Sequence, residues 1–460
     1  MKEIKYYSTN RNLRRDGFKP FGDLVSFPEA LILGQAPDGG LFMPEVIPAL
    51  KPDSLFRLKG RPYWEAAREV MSICLGDLLP TPRLESICRD AYDFEVPIEL
   101  VRDRRYVLRL DRGPTASFKD FAARLMSRLM SCFRPSSGFL NVLVATSGDT
   151  GSAIGEAFKG VEGIDVFILY PGGEVSPRQK KQLDTIGGNV KTLMVAGKFD
   201  DCQEMVKRAF LDPDLSGLNL TSANSINIGR VLPQCVYYIW AYAQVSDGRE
   251  EAVVSVPSGN FGNAFGCEIA RRMGLPLKKL LMPTNANDEF PRFLSAGSYR
   301  KISPSRRCIS NAMNVGHPSN LARFFDIYGG IMDKEGYVHR PPDLEKMRDA
   351  IFSVSVSDDE TRETILRAWR EFGLLLEPHG AVGWKGLSDY LRVAPFRGPA
   401  ISVETAHPAK FPEEIEGILG FAPEIPPSLA LLESREGEAV TLDGGYPAFK
   451  EFLLENAGAS

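Results

Sequence analysis

The sequence predicts an α/β fold built from parallel, twisted sheets that are covered by helices. From "YVLRL" to "LKKLLMP", short apolar runs such as "LNVLVAT", "IDVFILY" and "EAVVSVP" alternate with glycine-containing turns and amphipathic segments. Strand, turn and helix in repeated order are typical of parallel sheets, and apolar strands are typical of sheets buried on both faces. In such sheets ligands bind where the strands end, so the loops that follow the strands are the candidate ligand sites.

The chain has 460 residues, more than one ordinary core needs, so we expect two or three structural units. Hydrophobic residues make up 43% and charged residues 25%, a balance that disordered and fibrous chains lack. The formal net charge is -4, with acidic and basic residues interspersed. No broad cationic surface is therefore expected for nucleic acid or for an anionic membrane, and a small molecule is the expected partner.

Seven cysteines are spread along the chain without a CxxC pair or a histidine-cysteine cluster. An odd number at such spacings indicates neither a disulfide framework nor a structural zinc site. The N-terminal "MKEIKYYSTNRNLRRDGF" lacks the apolar core of a signal peptide, and no run of about twenty apolar residues occurs. These features predict a cytoplasmic protein without a metal site.

We expect four segments along the chain. Residues 1–95 mix short helices with turns such as "GQAPDGGLFMPEVIP" and form an N-terminal subdomain. Residues 96–125 and 246–425 form a large ligand-binding domain, and residues 126–245 form a smaller, mobile α/β domain. Residues 426–460 form a peripheral C-terminal segment, because prolines and charges in "FAPEIPPSLALLESREGEAV" replace the strand pattern before a final helix.

The stretch "GPTASFKDFAARLM" places one lysine, Lys119, where a glycine-proline turn meets an apolar helix. A lysine at a helix start is disfavoured by the positive end of the helix dipole. A covalent role explains the position, since a lysine amine forms Schiff bases, and partial burial or a positive field keeps it neutral. The alternative is a side chain that reaches into solvent.

Two strand-to-helix loops have compositions typical of anion sites. In "TSGDTG", small residues and the hydroxyls of Ser147 and Thr150 precede a helix; the alternative is an ordinary turn capped by Asp149 or Thr150. In "SGNFGN", from Ser258 to Asn263, glycines and asparagines favour a backbone wrapped around a phosphate; the alternative is a structural turn. The second loop matches neither the Walker nor the GxGxxG pattern, which weakens a nucleotide-binding interpretation.

Lys119 and the glycine-asparagine loop together suit one cofactor. Pyridoxal 5′-phosphate offers an aldehyde for a lysine to capture and a phosphate to anchor. The motifs "GPTASFKDF", "ATSGDTGSA", "SANSINIGRVLPQ", "VPSGNFGN", "NANDEFPRFL", "SNAMNVGHPSN", "EPHGAVGW" and "TAHPAKF" also occur in the order and spacing of a known family. The chain resembles the longer, microbial and fungal type of threonine synthase, a fold-type-II family related to the tryptophan synthase β chain. The resemblance covers about nine-tenths of the chain.

The resemblance implies a fold and a set of cofactor contacts. The fold is the tryptophan synthase β-like α/β fold, in which the large domain binds pyridoxal 5′-phosphate. Lys119 would carry the cofactor as a Schiff base and serve as the proton carrier, and Thr405 of "TAHPAKF" would meet the pyridine nitrogen as a neutral hydroxyl. The implied cofactor-phosphate cup is Gly259, Asn260, Phe261, Gly262 and Asn263.

The implied substrate, O-phospho-L-homoserine, needs a second anion site. Arg230 in "TSANSINIGR" can grip a phosphate bidentately. The alternative for this segment is a helix cap followed by an ordinary amphipathic helix. The implied substrate contacts are Thr115, Ser117, Ser147, Thr150, Asn224, Ser225, Asn227 and Arg230.

The implied reaction is a γ-elimination of phosphate followed by a β-addition of water. It gives L-threonine, the last step of threonine biosynthesis, and the enzyme would be a carbon-oxygen lyase that acts as a monomer or a homodimer. The alternatives are a pyridoxal-phosphate phospholyase that gives 2-oxobutyrate, a serine or threonine dehydratase, and a cofactor-bound protein without catalysis. The second anion site around Arg230 argues against a plain dehydratase.

Three departures from the family pattern concern the approach to the site. Asp111 and Arg112 replace the usual residues before "GPT", and Asn314 replaces an acid in "NAMNV". None of these changes removes an implied cofactor contact, but they bear on substrate preference. His379 and His407, each beside a proline, are interpreted as structural, and the four histidines form no metal pattern.

Overall fold

The structure of the protein is a computed structural model that describes residues 3–136, 138–432, 434–443 and 445–458. Two parallel sheets with helices packed against them confirm the predicted α/β class. Within the described residues, no helix combines the length and the apolar character needed to cross a membrane.

The N-terminal region is mostly helical and contains one small antiparallel sheet. Its elements are β1 (Tyr6–Ser8), α1 (Phe27–Leu33), β2 (Phe42–Pro44), α2 (Pro52–Arg57), α3 (Tyr63–Leu75) and α4 (Thr81–Ala91). β1 pairs antiparallel with β2. Ser26 and Glu29 form a capping box at the start of α1, which fixes where this helix begins.

The next region contributes two strands to the larger sheet and the helix that begins at Lys119. Its elements are β3 (Ile98–Arg102), β4 (Arg105–Arg109) and α5 (Lys119–Phe133). β3 and β4 pair antiparallel. In the turn between β4 and α5, Ala116 has a φ of 54°. This left-handed conformation is costly for alanine, so surrounding contacts must hold the turn in place.

The smaller sheet is built from the middle of the chain. The elements of this region are β5 (Leu140–Ala145), α6 (Asp149–Phe158), β6 (Ile164–Pro171), α7 (Pro177–Asp184), β7 (Val190–Val195), α8 (Phe199–Leu211), β8 (Leu220–Ser222), α9 (Ile228–Val231) and α10 (Cys235–Val245). β5 lies between β6 and β8, and β6 also pairs with β7, all in parallel. Every residue of β5 and β6 is buried, which agrees with their unbroken apolar sequence.

The remaining strands of the larger sheet come from residues 252–404. The elements are β9 (Ala252–Ser255), α11 (Gly262–Arg272), β10 (Leu277–Leu281), α12 (Glu289–Ala296), α13 (Leu321–Ile327), β11 (Ile331–Met332), β12 (Val338–Arg340), α14 (Leu344–Ala350), β13 (Ile351–Phe352), α15 (Asp358–Phe372), α16 (Pro378–Val393) and β14 (Ala400–Glu404). The strand order is β13-β10-β9-β14-β4-β3, and only the β3–β4 pair is antiparallel.

The C-terminal segment returns to the smaller sheet. It forms α17 (Pro412–Leu419), α18 (Pro427–Ala430), β15 (Val440–Leu442) and α19 (Gly445–Asn456). β15 pairs in parallel with β7 and becomes an edge strand. Tyr446, Phe449 and Leu453 of α19 are buried in a cluster with Cys202 and Met205 of α8. The predicted final helix is present, and the strand before it was not predicted.

An aromatic cluster around Phe121 anchors α5 to the N-terminal helices. The Phe121 ring is fully buried. Its centroid lies 5.1 Å from that of Tyr63, 5.2 Å from Phe94, 5.5 Å from Tyr237 and 6.0 Å from Tyr92. Because Phe121 is two residues from Lys119, this packing fixes the first turn of α5.

We predict that Phe121→Ala lowers the free energy of unfolding by about 3–5 kcal/mol, because it leaves a cavity among four aromatic rings. Chemical denaturation followed by circular dichroism measures the change. Leu211, which is 81% exposed, is the control: Leu211→Ala is expected to change the free energy by less than about 0.5 kcal/mol. Equal effects of the two substitutions would contradict the role of the cluster.

Candidate active site

Three loops that carry predicted site residues meet at one edge of the larger sheet. β14 lies between β4 and β9, and all three strands run parallel. The carboxyl ends of parallel strands share an edge, so Lys119, Thr405 and loop 258–263 follow strands that end side by side. The Phe118 N–H donates to the Thr405 carbonyl oxygen at 2.9 Å, which joins the first two loops.

Hydrogen bonds continue from Thr405 toward the glycine-asparagine loop. Oγ1 of Thr405 donates to Oε1 of Glu377 at 3.3 Å. Nε2 of His379 accepts the Ala312 N–H at 3.0 Å, so Nδ1 carries the ring proton and donates to Oε2 of Glu377 at 2.5 Å. A β-carbon at Gly259 would stand 2.6 Å from the Ala312 carbonyl oxygen, so the loop abuts the same segment. His379 is thus structural, as the sequence predicted, but it supports the site.

Lys119 is the first residue of α5, and its amine lies in a buried, charged setting. The side chain is 14% exposed, and Nζ stands 3.8 Å from Oδ2 of Asp149. Burial lowers the pKa of the Lys119 amine; Asp149 opposes this effect, and the cations Lys410 and Arg230 add to it. A lysine that reaches into solvent would show none of these features. The arrangement favours a neutral amine, as imine chemistry requires.

Loop 258–263 has the shape of an anion cradle. Phe261 has a φ of 59° directly before α11 begins at Gly262. A β-carbon at position 259 would also lie 3.0 Å from the Met313 Cα, so only glycine fits between the loop and its neighbour. The first N–H groups of a helix have no acceptor within the helix and can bind a phosphate.

Asn260 and Asn263 hold this loop in place through their own contacts. The Asn260 carbonyl oxygen accepts from Nδ2 of Asn320 at 2.9 Å. Nδ2 of Asn263 donates to the Pro257 carbonyl oxygen at 2.9 Å, and its Oδ1 accepts from the Ser258 hydroxyl. The Asn260 backbone and the Asn263 side chain, which the sequence placed in the cup, therefore fix the shape of this loop.

A second candidate anion site follows β8 of the smaller sheet. Nη1 of Arg230 donates to the Ala223 carbonyl oxygen at 2.8 Å. Nε of Arg230 and Oδ1 of Asn224 are buried and have no hydrogen-bond partner among the described residues. Burial lowers the pKa of Arg230 to about 10. A buried guanidinium with an unused donor is costly unless an anion meets it, which suits a phosphate.

Asn227 has structural partners. Its Nδ2 donates to the carbonyl oxygens of Leu31 and Ser222 at 2.8 and 2.9 Å, and its Oδ1 accepts the Gly229 N–H at 2.9 Å. The side chain caps α9, as the alternative interpretation of this segment expected. A substrate contact by Asn227 stays a prediction that its hydrogen bonds do not support. Ser225, next to the cap, is half-buried.

The hydroxyl residues before Lys119 lie inside the turn. Thr115 donates through its N–H and its hydroxyl to the Asp120 carboxylate, at 2.9 and 2.7 Å. Its Oγ1 stands 3.5 Å from Oγ of Ser117, and both residues are buried. Burial raises the pKa of Asp120 to about 6. On the smaller sheet, Ser147 is exposed and Thr150 is half-buried in the first turn of α6.

Sequence reasoning missed a second buried lysine. Lys410 donates to Oδ1 of Asp149 at 2.7 Å and to the Thr115 carbonyl oxygen at 3.0 Å. It lies in "TAHPAKF", a motif from which only Thr405 was selected. Asp149 was interpreted only as a possible helix cap, and it is instead the shared partner of two lysines; the Thr146 hydroxyl accepts the N–H groups at the start of α6.

The described residues contain no group of three or more histidine, cysteine or acidic side chains that would hold a metal ion. The seven cysteines are free thiols. The candidate site combines amines, a guanidinium, carboxylates, hydroxyls, amides and backbone N–H groups. Such a set can hold a carbonyl compound on an amine and two separate anions.

Family models match three parts of the chain. The model described as "Pyridoxal-phosphate dependent enzyme" matches residues 98–403, "Threonine synthase N terminus" matches residues 5–92, and "Threonine synthase, C-terminal" matches residues 380–453. The threonine synthase of Haemophilus influenzae is 38% identical, over 94% of this chain and 97% of its own. That of Escherichia coli is 37% identical, over 95% and 98%.

Solved structures of threonine synthases share the whole fold. The structure from Brucella melitensis, described as bound to pyridoxal phosphate, has a TM-score of 0.90 and 32% identity, with 99% of each chain covered. The yeast structure has a TM-score of 0.88 and 29% identity, again with 99% of each chain covered.

The fold, the buried lysine and the match over residues 98–403 define a pyridoxal-phosphate-dependent enzyme of fold type II. The residues present fit the cofactor, because a buried amine lies beside a glycine-asparagine loop at the start of a helix, and glycine at position 259 lets that loop pack against residues 312–313. Within this class, the relatives that match over nearly the full length of the chain are threonine synthases. The chain belongs to the threonine synthase family and is a lyase that makes threonine with pyridoxal 5′-phosphate.

His407 is expected to make stability depend on pH. Its Nδ1 accepts the Ala409 N–H at 3.1 Å, and burial lowers its pKa from 6.5 to about 4. The unfolded chain therefore binds the proton first, so the contribution to stability is complete above pH 6.5 and is lost as the pH falls toward 4. His407→Asn keeps a cap acceptor without this titration. Its unfolding free energy, from urea titrations, is expected to fall less between these pH values than that of the wild type.

Proposed function

We propose that the chain converts O-phospho-L-homoserine and water into L-threonine and phosphate, with Lys119 as the cofactor-carrying residue. The observation that carries this proposal is the buried Lys119 amine, whose pKa is lowered between two candidate anion sites. One anion site suits the cofactor phosphate and the other suits the substrate phosphate. A dehydratase acting on serine or threonine would need only the first.

The cofactor contacts follow from the edge of the larger sheet. Backbone N–H groups of residues 259–263 would bind the cofactor phosphate at the start of α11. The Thr405 hydroxyl, which lies 3.3 Å from Oε1 of Glu377, would meet the pyridine nitrogen. When bound, pyridoxal 5′-phosphate supplies an electron sink that acidifies the hydrogen at the substrate Cα.

The substrate contacts lie mainly on the smaller sheet. Arg230 and Asn224 bind the substrate phosphate through the donor and the acceptor that are otherwise unpartnered. Ser147, Thr150 and Ser225 complete this anion site, because they lie on the loops after β5 and β8, which are neighbouring strands. Thr115 and Ser117 line the turn beneath Lys119, and Asn227 fixes the segment that carries Arg230.

Lys119 is the proton carrier in this proposal. Its amine takes one proton from the substrate Cα and one from Cβ, and it returns protons to Cγ and Cα after the phosphate has left. An amine does so near neutral pH only if its pKa lies below the ordinary lysine value, and burial lowers the pKa of Lys119. Asp149, 3.8 Å away, stabilises the ammonium form between transfers.

Water has to reach the substrate only after the phosphate has left, because earlier hydrolysis would destroy the substrate before threonine forms. The segment of residues 126–245 carries Asp149 and Arg230 and faces the domain of residues 96–125 and 246–425, so we propose that it moves to close the cleft.

A cytoplasmic location agrees with the seven free thiols. We propose a monomer or a homodimer.

Lys119→Ala is the decisive variant for this function. Borohydride reduction of the wild type is expected to fix the cofactor on the peptide that contains Lys119. The variant is expected to lose at least about 1,000-fold in turnover of O-phospho-L-homoserine, since it lacks both the attachment point and the proton carrier. Threonine and 2-oxobutyrate are measured together, so 2-oxobutyrate as the main product of the wild type would identify a phospholyase instead.

Gly259→Ala tests the phosphate cradle. The new β-carbon would stand 2.6 Å from the Ala312 carbonyl oxygen, so the loop must shift. We expect pyridoxal 5′-phosphate to bind at least about tenfold more weakly, equivalent to about 1.4 kcal/mol, as measured by fluorescence titration. Gly417→Ala is the control, because nothing lies within 4 Å of its added β-carbon. Unchanged affinity in Gly259→Ala would exclude this loop as the cup.

A further inference from the structure

Lys119 and Lys410 share the carboxylate of Asp149 unequally. Nζ of Lys410 is 2.7 Å from Oδ1, whereas Nζ of Lys119 is 3.8 Å from Oδ2. Nε2 of Gln179 also donates to Oδ1, at 3.1 Å. Of the two lysines, only Lys410 is within hydrogen-bond distance of the acid.

Lys410 is fixed by contacts that Lys119 lacks. Its side chain is fully buried, and its ammonium also donates to the Thr115 carbonyl oxygen at 3.0 Å. Lys410 follows β14 of the larger sheet, whereas Asp149 begins α6 beside the smaller sheet. The ion pair therefore crosses the cleft, beside the turn that presents Lys119. A buried ammonium stays charged only when it is paired in this way.

Four charged side chains influence the ionisation of the Lys119 amine. Asp149 and Glu377 favour its protonated form, and Lys410 and Arg230 disfavour it, in addition to burial. In the proposed function the substrate phosphate neutralises Arg230. Lys410 is paired with Asp149 instead, at 2.7 Å, so the anion that meets it belongs to the protein rather than to the substrate.

We propose that Lys410 is a positioning residue which, by binding Asp149, leaves the nitrogen of Lys119 free to lose its proton. This inference rests on the proposed role of Lys119. Without Lys410, the Asp149 carboxylate has Lys119 as its remaining cation and holds it as an ammonium. An ammonium has no lone pair, so it neither adds to an aldehyde nor accepts a proton from the substrate.

Competitive labelling measures the ionisation of Lys119 directly. The full chain without cofactor is treated with trace acetic anhydride from about pH 6 to about pH 11, and the Lys119 peptide is quantified by mass spectrometry, because only the neutral amine reacts. Lys410→Met is expected to raise the midpoint by about one pH unit, which lowers the neutral fraction about tenfold near pH 7. Lys410→Arg, which keeps the charge, is expected to retain the wild-type midpoint.

A second readout uses the enzyme with its cofactor. The pH at which the absorption of bound pyridoxal 5′-phosphate changes is expected to rise in Lys410→Met and to stay in place in Lys410→Arg. A role for Lys410 in packing alone would lower stability without moving either midpoint. Both midpoints unchanged or lowered in Lys410→Met would overturn the proposal.

Two further variants serve as a substitute for Lys410→Met and as a control. Lys410→Gln keeps donors for Asp149 and Thr115 without the charge, so it replaces Lys410→Met if circular dichroism shows that variant to be unfolded. Lys385 bonds to Asp389 at 2.6 Å and lies 3.3 Å from Glu360. Lys385→Met is expected to leave the Lys119 midpoint unchanged, and an equal shift there would contradict the specific pairing.

Failure of the proposed function gives a different result. If borohydride fixes the cofactor on a peptide without Lys119, the proposed role of Lys119 is wrong. The labelling midpoint of Lys119 then still reports whether Lys410 and Asp149 control the ionisation of this amine. The two outcomes are read from different peptides and different reagents.

Discussion

The parallel pairing of β14 between β4 and β9 is the constraint on which the site depends. It places three loops from distant parts of the chain at one edge, where Lys119, Thr405 and the loop before α11 meet. In the smaller sheet, β5 and β8 also pair in parallel, so the loops that follow them lie side by side. The candidate active site thus lies where the strand ends of the two sheets come together, and side-chain contacts such as the ion pair of Lys410 with Asp149 link them.

Much of this could be predicted from the sequence, and the reasons for the rest are physical. Some features have local signals, because the residue types within one short segment indicate them. These features are the strands, the lysine at a helix start and the two glycine loops. The role of Lys410 has no local signal, since its partner Thr115 lies 295 residues away in the chain. Glu377 has no local signal either, since its partner Thr405 lies 28 residues away in the chain. His379 was predicted to be structural, but its contact with Ala312, 67 residues away, was not. Asn227 is the opposite case. Its motif predicted a substrate contact, but its side chain caps α9.

Buried charge connects the parts of the molecule. Arg323 is fully buried, and it donates to the carbonyl oxygens of Phe42 and Ile226 and to the side chain of Asn320. Asn320 in turn holds the Asn260 carbonyl oxygen. One guanidinium therefore ties the N-terminal region, the candidate substrate-phosphate segment and the candidate cofactor loop together. Removing such a group would leave several buried carbonyl groups unpaired, which is costlier than losing one contact.

The position of β15 has a consequence for how the protein is made. β7 lies at an incomplete edge of the smaller sheet until β15, at residues 440–442, pairs with it. From the synthesis of β7 until residues 440–442 follow, this edge offers unpaired backbone groups to other chains. A chain that stops shortly before residue 440 would keep that edge exposed to aggregation.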